Sequence, residues 1–204
     1  MKLQFPVNFI YISQPYKGSS HLGIDLGWAS TGECGGSKQP VYAPADGVIE
    51  KIVSNYTTQD STGSSYGNYI LIKHDNGYKT RVAHLRHGTL KVKKGDKVTR
   101  GQRIATMGST GRSDGPHVHY EVIKDGSTID PLKVTYYTSD QIIASVTKKS
   151  YNLKKYPEDA KVEENASNEK QDAPMQEVNK FEQTFKQDCW VKIKVYKDET
   201  LIIK

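Results

Sequence analysis

Seven short apolar runs, punctuated by turn residues, constrain this chain more than any other feature: Phe9–Ile12, Pro40–Ala43, Gly47–Val53, Asn68–Lys73, Lys79–Leu85, Arg103–Met107 and His117–Ile123. The turn signals around them are Asp46-Gly47, Asp75-Asn76-Gly77, Lys94-Gly95-Asp96 and Asp125-Gly126. Short runs at this spacing fit the strands of an all-β sheet or sandwich. Asn-Gly supplies the positive φ angles that a tight hairpin requires, so His74–Tyr78 reads as a hairpin turn. No 3.6-residue periodicity runs through residues 1–133. Seventeen glycines and thirteen tyrosines favour strands and tight turns over helices.

Beyond Asp130-Pro131 the character changes, and the chain divides at 1–133, 134–154, 155–184 and 185–204. Residues 134–154 read as a connecting segment with a short helix beginning at Ser139. Residues 155–184, centred on Glu163–Pro174, are charged and poor in apolar side chains, as in a flexible linker. An unpacked portion of this kind fits an overall hydrophobic content of 35%, low for a chain folded throughout. Cys189–Tyr196 and Thr200–Ile203 alternate like a β-hairpin across Lys197-Asp198-Glu199. Two strands are too little to fold alone, so this appendage needs a partner surface, either the first domain or another chain.

Charge is unevenly spread. Residues 1–150 carry nineteen basic and twelve acidic side chains, whereas residues 151–204 carry ten and eleven. The basic part favours anionic partners, such as a charged cell-wall polymer, nucleic acid or a membrane surface. Its basic residues are dispersed and no RNA- or DNA-binding motif is present, which sets nucleic acid aside. Solubility alone also accounts for a modest positive charge. No stretch approaches the length of a membrane span. Met1–Asn8 holds no apolar run of signal-peptide length. Cys34 and Cys189 lack Cys-x-x-Cys spacing and read as free or incidental, with their pairing left open.

All six histidines precede residue 120, and four of them fall into three clusters with one carboxylate: His21-Leu22-Gly23-Ile24-Asp25, Ala83-His84-Leu85 and His117-Val118-His119. On a strand, residues two apart share a face, so His117 and His119 project side by side. Imidazole and carboxylate together suit a borderline ion such as zinc, and catalytic zinc sites use three protein ligands and keep one position open. Five groups are enough for such a site with two to spare. Bound zinc lowers the pKa of its water to about 7 and polarises a carbonyl. A spare histidine can orient that water, move its proton or stabilise the developing oxyanion. His-x-His and His-x-x-x-Asp are weak signals singly and much stronger together. His74 and His87 stand apart and read as surface or hydrogen-bonded residues.

With these clusters in this order, the sequence resembles the lysostaphin-type (LytM/M23) zinc endopeptidases, which cut peptide bonds in bacterial peptidoglycan. The resemblance covers residues 13–132. It runs through Gly18 and His21–Asp25, Val41–Val48, Tyr66–Tyr78, Ala83–Leu85, Lys94–Gln102 and Gly108–Glu121. It implies an open antiparallel β-sheet groove of the duplicated-hybrid-motif type. It also implies His21, Asp25 and His119 as ligands of Zn2+, His84 and His117 as non-ligand catalytic histidines, and a supporting role for Tyr16. Departures are small: Val82 stands where the family often has Tyr, Val118 and Tyr120 replace Leu and Phe, and Asp114 occupies a position usually small or hydroxylic.

The function expected is therefore a zinc-dependent endopeptidase acting on peptide crosslinks or bridges of bacterial peptidoglycan. Degenerate members of the family lose ligands and regulate other wall enzymes, but this chain keeps all five groups. A non-catalytic wall-binding or activator protein is the alternative. A histidine phosphocarrier of related topology is a further one, disfavoured because the Asp25 carboxylate would repel phosphate. With no export signal in view, the chain is a mature fragment, a phage lysin released through a holin, or a virion component. Its start at Met1 favours the phage cases, with the C-terminal hairpin docking on a virion or tail subunit. Loops 29–38 and 54–67 would select the bond that is cut.

Overall fold

A computed structural model describes residues 1–28, 37–59 and 66–157, together with short strands at 193–194 and 202–203. Cys34, Cys189 and residues 158–184 of the expected linker lie outside the described residues. The chain divides into two units, Met1–Ala160 and Lys161–Lys204.

The first unit is built on an eight-stranded antiparallel sheet. Its path runs β3 (Ile12–Gln14), β4 (Ile24–Gly27), β11 (His117–Lys124), β8 (Tyr78–Ala83), β7 (Tyr69–Lys73), β6 (Gly47–Val53) and β9 (Lys97–Val98), and β12 (Ser127–Ile129) folds back onto β11. The apolar runs read from the sequence form these strands because alternation gives each one a buried side. Ile24, Leu26, Ile49, Ile70, Ile72, Val82, Val118, Tyr120 and Val122 pack into one core. Asn76 and Gly77 take φ of 54° and 73°, closing the β7–β8 hairpin as Asn-Gly predicts. Against this core lie β5 (Pro40–Tyr42) and β10 (Arg103–Thr106), paired antiparallel, and they add Val41, Ile104 and Ala105.

The remaining strands join the two ends of the unit. β1 (Leu3–Gln4) runs parallel to β13 (Thr135–Tyr137), which runs parallel to β15 (Lys154–Lys155). β2 (Phe9–Ile10) runs parallel to β14 (Ile142–Ile143). Residues 134–154, read from the sequence as a connecting segment, thus pair with the N-terminal segment. The Gln141 side-chain amide donates to the carbonyls of Phe5 and Val7, and the Ile12 N–H donates to the Thr147 hydroxyl. The helix expected from Ser139 begins later, as α1 (Ser145–Ser150). Residues 138–141 instead form a turn in which the Thr138 N–H donates to the Gln141 side-chain oxygen and the Gln141 N–H to the Thr138 carbonyl.

In the second unit, β16 (Ile193–Lys194) and β17 (Ile202–Ile203) pair antiparallel. Among the described residues, no helix is long and apolar enough to cross a membrane.

Candidate metal centre

The register between β4 and β11 sets Asp25 directly opposite His119, and Gly27 opposite His117. Since Ile24, Leu26, Val118 and Tyr120 take the core side, alternation sends Asp25, His117 and His119 to the other face. His21 follows a short 3-10 turn (Gly18–Ser20) and reaches the same point because the chain behind it lies tight against β11. A Cβ on Gly23 would meet the Tyr120 carbonyl oxygen at 2.4 Å, so only glycine permits that approach.

One ligand atom from each of His21, Asp25 and His119 lies within 4.8 Å of the others. His21 Nδ1–H donates to the Pro15 carbonyl at 2.7 Å, which leaves Nε2, 3.2 Å from Asp25 Oδ1, as the nitrogen that would face a metal. His119 presents Nδ1 to the same Asp25 oxygen at 2.8 Å, while its Nε2 lies 3.1 Å from Glu121 Oε1. Burial alone would raise the Asp25 pKa, but the hydrogen bond from His119 and the imidazoles of His117, His119 and His21 hold the carboxyl below its usual range. Burial also opposes charge on His119, yet its hydrogen bonds to Asp25 and Glu121 raise that imidazole to about 9. The pocket between these carboxylates therefore favours positive charge, and a metal cation would take the place of the proton on Nδ1. Two imidazoles and a carboxylate, oriented from behind by a carbonyl and a second carboxylate, fit zinc.

The other two histidines sit beside this trio. The rings of His84 and His117 are 4.6 Å apart between centroids, and His84 lies 6.1 Å from His119. His84 Nδ1–H donates to the Thr110 carbonyl at 2.8 Å, and His117 Nδ1–H to the Gly115 carbonyl at 2.9 Å. In both rings Nε2 is therefore the nitrogen left for chemistry, and that of His117 is 3.7 Å from Asp25 Oδ1. Burial, with His117 alongside, pushes His84 down to about 4, so its imidazole is neutral at neutral pH. His84 takes a left-handed φ of 58°, held by its N–H bond to the Tyr66 carbonyl.

The structure thus brings together His21, Asp25, His84, His117 and His119. The Tyr16 hydroxyl instead donates to the Thr128 carbonyl at 3.3 Å. His74 is buried, its ring nitrogens bonded to the Asp46 carbonyl and the Thr80 hydroxyl, and His87 is exposed. Sequence reasoning passed over Glu121, Arg81 and Tyr66, which stand behind His119. Period-two alternation places Glu121 on the face of His119, a signal present in the sequence; the Arg81 pairing depends on a register that local sequence does not reveal.

A carboxylate and four imidazoles gathered beside one face of an antiparallel sheet form a histidine–aspartate cluster that could hold a metal ion. The chain belongs to peptidase family M23, whose model matches residues 19–131. It is 45% identical over 94 residues to the peptidoglycan DD-endopeptidase ShyA of Vibrio cholerae, a match covering 46% of this chain and 20% of that protein. It is 33% identical over 157 residues to the DD-carboxypeptidase/endopeptidase Mpg of Neisseria meningitidis, covering 76% of this chain and 34% of that one. The chain thus spans a fifth to about a third of the length of these curated relatives. Among solved structures, Helicobacter pylori Csd3 matches with a TM-score of 0.51 at 22% identity, over 84% of this chain and 43% of that one, which shows a shared fold. The family resemblance and the all-β antiparallel architecture read from the sequence both hold.

Proposed function

We propose that this chain is a zinc-dependent endopeptidase that hydrolyses peptide crosslinks or bridges in bacterial peptidoglycan. The observation that carries the reading is the meeting of His21 Nε2, Asp25 Oδ1 and His119 Nδ1 beside two histidines whose Nε2 atoms are left for chemistry. The relatives' names, peptidoglycan DD-endopeptidase and DD-carboxypeptidase/endopeptidase, support the substrate class.

His21, Asp25 and His119 would hold the metal. When bound, zinc supplies a Lewis acid that polarises the scissile carbonyl and makes water a nucleophile near neutral pH. The chain's own part falls to His84 and His117. Carbonyl hydrogen bonds fix both rings, so neither searches for its tautomer. Neutral His84 accepts the proton of the attacking water, and the pair returns it to the leaving amine. Once protonated, either imidazole donates to the oxyanion that forms at the peptide carbonyl.

Purified walls of different crosslink types test this reading, with release of free amino groups followed by mass analysis of the fragments. The expected result is cleavage that stops on chelation and returns with added zinc. No new amino groups from any wall type would sink the proposal.

A phage origin is a separate proposal carried over from the sequence, with the hairpin of β16 and β17 as the element that docks on a virion or tail subunit. Mass spectrometry of purified particles tests it, and absence of the chain from both particles and phage lysates rejects it.

A further inference from the structure

Three side chains that the proposed chemistry does not use converge behind His119. Glu121 lies two residues further along β11, on the same face, and is wholly buried at 0% exposure. The Tyr66 hydroxyl donates to its Oε1 at 2.7 Å, the atom that also lies 3.1 Å from His119 Nε2. Arg81, directly opposite Glu121 on β8, donates from Nη1 to Oε2 at 2.6 Å. The Arg81 guanidinium in turn rests over the Tyr66 and Tyr69 rings, at 4.2 and 5.5 Å from their centroids.

A buried carboxylate is costly unless it is both paired and hydrogen-bonded. Arg81 alone would meet the charge requirement. The second oxygen is nevertheless committed to His119, and Tyr66 is bonded to that same atom. An imidazole with nothing on Nε2 can rotate about its Cβ–Cγ bond and turn Nδ1 away from Asp25. With Nε2–H donated to a fixed carboxylate, only Nδ1 is left for a metal, and its basicity rises.

We propose that Glu121, held by Arg81 and Tyr66, is a positioning residue for the metal ligand His119, fixing which ring nitrogen faces the cation and how strongly it binds. Tyr66 extends this support to the second pair of histidines, because its backbone carbonyl accepts the His84 N–H at 3.0 Å. One residue thus braces both halves of the site.

The inference rests on the zinc reading above, and the experiment separates the two. The full-length chain is compared with Glu121→Gln, Tyr66→Phe and His119→Ala. Three measurements are made: zinc affinity by competition with a chromophoric chelator, melting temperature of the metal-free protein, and the visible absorption of the cobalt-substituted form. Glu121→Gln should weaken zinc binding roughly tenfold or more, the scale typical of an outer partner of a metal-bound histidine. Tyr66→Phe, which removes one hydroxyl, should weaken it less, with the metal-free melting temperature unchanged. Both should shift the cobalt bands, an effect that a purely structural role would not produce. Zinc affinity and cobalt spectra equal to wild type in both variants overturn the proposal. If Glu121→Gln does not fold, Tyr66→Phe decides alone. A wild-type chain that takes up no zinc overturns the metal reading and this inference with it.

Discussion

His117 and His119 stand two residues apart on one strand, yet they are bonded to different things. His119 Nδ1 meets the Asp25 carboxylate, whereas His117 Nδ1–H is spent on the Gly115 carbonyl. On the proposed mechanism their substitutions should part company. His119→Ala should lose bound zinc, as measured by metal analysis of the purified protein. His117→Ala should keep its zinc and lose roughly 10²- to 10⁴-fold in wall cleavage, the range for a general acid–base group. Equal loss of metal from both variants would reject the division of labour. Alternation made the pairing of these residues legible, because two residues on one strand share a face. It did not reveal which one meets the carboxylate. That is decided by the cross-strand register with Asp25 and by the turn at residues 113–115, neither of which is encoded locally.

At the level of elements, strand positions were legible and strand order was not. The runs Gly47–Val53, Asn68–Lys73, Lys79–Leu85, Arg103–Met107 and His117–Ile123 coincide closely with β6, β7, β8, β10 and β11, because each has a side that must be buried. The placement of β11 between β4 and β8 is set by pairing across nearly a hundred residues, which no local window contains. The late start of α1 has a similar cause, since Ile142 and Ile143 are drawn into pairing with Phe9 and Ile10. Gly67 shows how such contacts reach the site. It has φ of +56°, and a Cβ there would meet the Thr110 carbonyl oxygen at 2.2 Å. That carbonyl is the one bonded to His84 Nδ1. The glycine thus brings the start of β7 against the turn that orients His84. From sequence it reads only as a loop residue.

For the molecule as a whole, residues 134–157 take a role that the sequence left open. Their strands pair with residues 3–10, and Gln141 and Thr147 bond to backbone between Phe5 and Ile12. A chain ended at Lys133 should therefore lose its cooperative melting transition and its protease resistance, whereas one ended at Pro157 should keep both. Equal melting of the two would show that the later strands are dispensable. The same interleaving has a consequence for biosynthesis. Phe5, Val7 and Ile10 leave the ribosome well before Tyr136, Gln141 and Ala144, which bond to their backbone and lie more than a hundred residues later. These backbone groups thus wait for their partners until nearly all of the first unit has been made. Completion of the first unit, and with it the pairing of β1 and β2, must follow the synthesis of β13 and β14.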